Sequence, residues 1–254
     1  MTQPFKLILF LGLGCLTQLN IAHANVCEDI HFQQSILQQA KLNPDLNQIA
    51  DCKALPHRPD QIVMVYQQVV KSYDDENGIR DYRLYLLLAD RNAKQLISSY
   101  KDPDIYPSDA MVLSEVSLDT AAYQLNPQLR AIGLRIDYRG ASANSPLDYT
   151  LMNLYDLERQ RRVLAQLKIE TLEGENARSC NAAFKQRNST LSILPTQHNG
   201  MRDIQVNSLE THDKSDQKLT DCVSQVISKT KRTDRLKYNG QYYVIPKNLR
   251  MLEE

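Results

Sequence analysis

The chain has no tryptophan, eight glycines and five histidines in 254 residues, and these shortages exclude several chemistries at once. Glycine this sparse forms no Gly-rich loop that could cradle a phosphate. No HExxH pair and no CxxC spacing is written anywhere, which removes the usual catalytic and structural zinc patterns. No G-x-S-x-G elbow occurs, and RGASAN (139–144) places Ser142 in a loop. Ser-x-x-Lys appears at Ser98–Lys101, Ser215–Lys218 and Ser228–Lys231, but without the SDN and KTG companions that make it a penicillin-binding signature. His31, His57, His198 and His212 are not spaced as metal ligands and read as ordinary surface histidines. Net charge is lacking too. With 30 basic and 30 acidic side chains, nothing draws the whole protein to nucleic acid or to an anionic membrane. No stretch beyond the N-terminus reaches the ~20 apolar residues of a membrane-spanning helix.

What is present starts with an address. Lys6, the apolar run LILFLGLG and the small residues AHA (22–24) read as an export signal over 1–24, cleaved after Ala24. LGLGC offers a lipoprotein reading at Cys15, for which Gly12 and Leu13 are poorly placed. The expected location is the periplasm or the exterior. Cleavage leaves 254 − 24 = 230 residues and removes Lys6, for a net charge of 0 − 1 = −1. It also leaves Cys27, Cys52, Cys180 and Cys222, an even set that points to disulfides in an exported chain. The pairs Cys27–Cys52 and Cys180–Cys222 each close a local loop and are the expected pairing. Each would contribute ~3–4 kcal/mol by restricting the unfolded chain.

Residues 28–42 place Phe32, Ile36, Leu37 and Ala40 at helical spacing, with Asp29 near the start and Asn43-Pro44 as the stop. LPHRP (55–59) reads as a Pro-punctuated linker. The expected organisation is a helical segment over 25–60 closed by a disulfide, then a β-rich domain over 61–254. From Gln61 the apolar period becomes two. IVMVYQQVV, YRLYLLLAD, LRAIGLRIDY and YTLMNLYDL are among ten short strand-like runs, with tyrosine as the dominant aromatic. The stretch 214–231 is ambiguous between strand and helix. The expected fold class is mainly β: an antiparallel meander, as a sandwich or a propeller-like assembly, with a short N-terminal helix.

Two internal echoes stand out. LLLADRNAKQLI (86–97) and MNLYDLERQRRVL (152–164) both run strand, Asp, charged turn, strand. NGIRDYRL (77–84) and NGMRDIQV (199–206) share Asn-Gly followed by Asp three residues after the glycine. As a calcium loop, the first copy would use Asp74, Asp75, Asn77 and Asp81, with Tyr73 where the leading carboxylate should stand. As architecture, Asn-Gly makes a type I′ hairpin turn, with Asp74 facing Asp81 across the strands and Asp81 steadying the turn amides. No other cofactor is expected. N-G-x-x-D followed by alternating apolar residues resembles an eroded blade loop of the FG-GAP, integrin-like propeller repeats, in which the fuller loop binds calcium. More broadly, ADCKALP (50–56), SLDTAAYQLNPQLRAIGLRI (117–136), LMNLYDLE (151–158), NGMRDIQV and LKYNGQYYVIPKNLR (236–250) resemble an uncharacterised family of exported β-rich proteins of Gram-negative bacteria. That resemblance implies export and a β-rich fold.

Two features suggest a partner. SKTKRTDRLK (228–237) gathers Lys229, Lys231, Arg232, Arg235 and Lys237 against the single Asp234, and reads as a solvated loop suited to an acidic partner. Tyr238, Tyr242 and Tyr243 cluster beside Pro246, a composition that reads first as core or sheet face and is also common at interfaces. The leading expectation is a non-enzymatic exported protein that binds a protein or an envelope component, such as an inhibitor or immunity protein. One alternative is an envelope hydrolase with a site of dispersed Asp and Glu residues. The other is a calcium-stabilised adhesion-type module.

Overall fold

The computed structural model describes residues 26–74, 78–218 and 221–251. The signal and the Cys15 reading therefore lie outside the described residues. Helix α1 (Ile30–Gln39) starts at Asp29, whose carboxylate accepts hydrogen bonds from the His31 and Phe32 amides at 3.0 and 3.1 Å. Its apolar stripe of Phe32, Ile36 and Leu37 packs on Ile62, Met64, Tyr66, Leu87 and Ala89 of the sheet beneath. The larger aliphatic and Phe side chains among these each contribute about 1.5–3 kcal/mol by leaving water.

That sheet is a meander of β1 (Ile49–Leu55), β2 (Arg58–Asp74), β3 (Ile79–Asp90) and β4 (Gln95–Lys101), with β5 (Tyr106–Ser108) also paired to β3. All pairings are antiparallel. LPHRP is not a linker: Pro56 and His57 form a tight turn, and Leu55 pairs with Arg58. The second sheet runs in sequence order through β6 (Met111–Asn126), β7 (Leu129–Gly140), β8 (Leu147–Asp156), β9 (Arg161–Glu175), β10 (Ala183–His198), β11 (Met201–Lys218), β12 (Asp221–Tyr238) and β13 (Tyr243–Val244). The ambiguous stretch 214–231 is thus strand, the end of β11 and the start of β12.

Strand alternation explains the core. Along β2, Val63 and Val65 face the second sheet, while Ile62, Met64 and Tyr66 face α1. A strand buried on both faces reads as the unbroken run IVMVY rather than as alternation. Val63, Val65, Leu84, Leu86 and Leu88 meet Ile132, Leu134, Ile136, Leu151 and Tyr155 in a core shared by the two sheets. The long sheet also folds back on itself: Leu125, Ala131, Met152, Leu154 and Leu167 pack with Ile204, Val206, Leu236, Tyr243 and Leu249. Sheet facing sheet is therefore the arrangement found.

The repeated sequences are repeated turns. Asp90 accepts from the Asn92 and Ala93 amides at 2.8 and 2.7 Å, and Asp156 from the Arg159 amide at 3.3 Å. Four residues after each Asp comes a left-handed residue, Lys94 at φ 52° and Gln160 at φ 50°. In the second Asn-Gly, Asn199 (φ 49°) and Gly200 (φ 78°) form the two-residue turn that pairs His198 with Met201.

Candidate binding surface

Strand β12 carries the whole predicted basic cluster, which is therefore sheet and not loop. Its alternation divides the cluster. Lys229, Lys231 and Arg235 lie opposite Thr211, Leu209 and Gln205 of β11, on one face, while Arg232 lies opposite Ser208 on the other. Lys237, two residues beyond Arg235, continues the first row. On that face the next strand inward, β10, presents Gln186, Asn188, Thr190 and Ser192. Lys229, Lys231 and Arg235 thus have neutral residues directly across from them, while Asp203 lies at the end of the row near Arg235. No ion pair within 4 Å engages Lys229, Lys231, Arg235 or Lys237 among the described residues.

The edge beside this row is open. β11 pairs with β12 from Asp221 to Leu236, but on the other side β13 covers only Lys237 and Tyr238. Asn248 Nδ2 donates to the Asp234 carboxylate at 3.2 Å, which brings the segment after β13 beside that residue. From Asp221 to Thr233 no described strand pairs with the outer side of β12. A one-residue bulge at Ile227 keeps Val226, opposite Asp213, on the face that carries Lys229. Val226 and Ile227 are 54% and 56% exposed. The Cys180–Cys222 disulfide, with Cα atoms 5.1 Å apart, ties the start of β12 to the segment before β10. The tyrosines expected to join this surface divide. Tyr242 is half exposed, whereas Tyr243 is buried and donates to the Arg202 carbonyl at 2.6 Å.

The first Asn-Gly loop differs from the expected register. Asp75 and Asn77 lie outside the described residues. Asp74 pairs with Ile79, and Asp81 pairs with Lys71 rather than Asp74, because two bulges in β2 shift the ladder. The like-charge pair is absent. Asp81 instead accepts a hydrogen bond from the Tyr73 hydroxyl at 2.9 Å, with the Lys71 ammonium 4.1 Å above the Tyr73 ring. No cluster of three or more His, Cys, Asp or Glu side chains placed for a metal occurs among the described residues.

Two groups escaped the sequence reading. In the second Asn-Gly hairpin, fully buried Asp203 accepts from Thr196 Oγ1 at 2.8 Å and sits 2.6 Å from His198 Nδ1. Burial pushes the Asp203 carboxyl up, but the hydrogen bonds from Thr196 and His198 and the charge of Arg235 outweigh it and hold it below the usual range. Between the sheets, Arg162 of β9 clamps Asp102 and Asp104 of the β4–β5 loop, with Nη1–O distances of 3.0 and 2.6 Å. The only hint in sequence was Asn153, a polar residue inside the apolar run YTLMNLYDL. It donates to the Tyr155 and Tyr106 hydroxyls at 2.9 and 3.1 Å. A cavity of about 800 Å³ also opens on the long sheet, where Met111, Leu147 and Tyr149 meet Lys168 and Lys185. Glu173 and Glu175 in the same wall balance its two lysines.

Fold and surface define a class: a two-sheet antiparallel β protein with two disulfides and one long, basic, open-edged strand. The disulfides fit a secreted or periplasmic protein, and no described helix is long and apolar enough to cross a membrane. No family model, curated protein or solved structure matches the chain.

Proposed function

We propose that the protein is a non-enzymatic binding protein of the periplasm or exterior, acting on another macromolecule as an inhibitor or immunity protein does. The observation that supports this most is β12, whose outer edge is open from Asp221 to Thr233 beside the unpaired row Lys229, Lys231 and Arg235. A folded protein usually shortens, covers or twists away such an edge, because its free amides and carbonyls recruit other strands. Here the edge is held out by a disulfide and lined with charge. Tightly placed carboxylates, by contrast, are tied to partners: buried Asp102 and half-buried Asp104 to Arg162, buried Asp156 to Arg159 and Arg161. These ties give them a structural account that needs no substrate.

The test is affinity capture from native envelope extract with the wild-type protein and with Lys229→Glu/Lys231→Glu/Arg235→Glu. One specific partner should be retained by the wild type and lost by the variant. Repeated capture of nothing, or equal capture by both proteins, overturns the assignment.

A further inference from the structure

We infer that the partner engages as an added β-strand: an extended, acidic protein segment that pairs its backbone with the free edge of β12. This rests on the binding reading above and specifies its geometry. Three features of β12 argue for a strand in place of a diffuse ionic contact. The first is the length of open edge. From Asp221 to Thr233 it spans about 40 Å at ~3.3 Å per residue, enough for a full-length natural strand. The second is the exposure of Val226 and Ile227, apolar side chains that gain nothing from a purely ionic ligand. The third is alternation. Because Lys229 and Lys231 share a face within the open stretch, an added strand with carboxylates at every second residue meets them at cross-strand distances of about 4.5–5.5 Å. Main-chain hydrogen bonds then give affinity, and the alternating charges fix register.

The same charges select against a second copy of the chain. Two β12 edges joined antiparallel through their basic stretches would bring lysines beside lysines, which is destabilising. Lysine on an edge is a common guard against self-pairing, and that guard leaves an acidic strand as the complementary occupant. Thr211 and Leu209 of β11, and Gln186 and Asn188 of β10, are neutral, so a carboxylate arriving at Lys229 and Lys231 displaces no intramolecular salt bridge.

The oxidised protein is titrated with a ten-residue peptide of alternating glutamate and valine, and binding is followed by fluorescence anisotropy and amide hydrogen exchange. Controls are the same peptide N-methylated at alternate residues, a lysine–valine peptide, and dextran sulfate. The glutamate–valine peptide should bind and should slow exchange at every second amide between Asp221 and Thr233. N-methylation should weaken it at least about ten-fold by removing strand donors. Lys229→Glu/Lys231→Glu, at exposed positions, should weaken it about ten-fold with the melting temperature unchanged. The lysine–valine peptide should not bind.

Equal affinity for the N-methylated peptide or for dextran sulfate, with β12 amides unprotected, overturns strand addition and leaves only charge. A dimer with β12 protected in the absence of peptide overturns it as well. If the peptide fails to bind while the triple charge reversal still abolishes partner capture, strand addition falls and the binding reading stands. If the peptide binds but capture is indifferent to the reversal, the edge accepts strands and the functional assignment of this surface falls.

Discussion

Arg162 places its Nη1 3.0 Å from Oδ1 of Asp102, a carboxylate with no exposed surface at the junction of the two sheets. Tyr155 donates to the other oxygen of Asp102 at 2.5 Å, and the Asp104 amide donates to Oδ1 at 2.9 Å. Nearby, Gln166 Nε2 donates to Asp104 at 2.8 Å. The charge is therefore paired and hydrogen-bonded on every side, which is the condition under which a buried ion pair is tolerated. Removing one partner strands the other. Arg162→Met should lower unfolding stability by about 3–5 kcal/mol in urea. The double variant Asp102→Asn/Arg162→Met removes the fully buried charge, leaving only the partly exposed Asp104 with its Gln166 hydrogen bond, and should recover part of that loss. A double variant as unstable as the sum of the two singles would show that the pair is not coupled.

Two carboxylates make stability depend on pH in the acid range. For Asp104, burial raises the carboxyl, yet the hydrogen bond and charge of Arg162, with Gln166, bring it below the ordinary 3.8. Asp203 is lowered in the same net direction by Thr196, His198 and Arg235 against its own burial. A group depressed in the folded state stabilises above its unfolded pKa, and the stabilisation is lost as pH falls through the folded pKa. Unfolding midpoints should therefore hold steady above about pH 4 and decline below it. Asp203→Asn should flatten the acid limb. An acid limb identical to wild type would rule out a linkage through Asp203.

The second Asn-Gly turn offers a test of backbone against packing. Gly200 sits at φ +78° with open space where a Cβ would go, so Gly200→Ala costs only the left-handed conformation, about 1 kcal/mol. Gly133 of β7 has an ordinary φ, but a Cβ there would stand 2.9 Å from the Asp119 Cβ and 3.0 Å from its carbonyl oxygen. Gly133→Ala must move β6 backbone and should cost more, about 2–3 kcal/mol. Thermal melts of the two variants should fall in that order, and the reverse order would refute the assignment of cost to backbone at one site and crowding at the other.

These positions show what local sequence conveys. Gly200 was legible because a type I′ turn is set by two adjacent residues, and helix α1 because Asp29, the apolar stripe and Asn43-Pro44 all lie within one short window. IVMVY announced a strand for the same reason. Register was not legible at the first Asn-Gly: bulges between Val69 and Lys71, and between Ser72 and Asp74, moved Asp81 from Asp74 to Lys71. A bulge depends on packing several strands away, which residues 74–81 do not encode. The basic cluster was visible as composition, but the division of Arg232 from its neighbours needed the knowledge that 228–237 is strand. The Asp102–Arg162 pair is 60 residues apart in sequence and is brought together only by the meeting of two sheets. No local pattern reports such a pair.

The two disulfides should act on stability alike and on structure differently. Their loops span 25 and 42 residues, and because loop entropy grows only with the logarithm of length, each should contribute about 3–4 kcal/mol. Cys27–Cys52 joins the turn before α1 to β1, against the core that α1 covers. Its removal as Cys27→Ser/Cys52→Ser should speed hydrogen exchange in α1 and leave β12 unchanged. Cys180–Cys222 braces a part of β12 where every residue from Asp221 to Thr233 is exposed and no apolar core assists. Cys180→Ser/Cys222→Ser should therefore free the amides of 211–231 while α1 and the shared core stay protected. An edge strand that frays loses the rigid template an added strand requires, so binding of the glutamate–valine peptide should weaken in this variant and not in the other. Exchange that quickens uniformly across the molecule in either variant would mean that the braces act globally, and the local role of Cys180–Cys222 would be wrong.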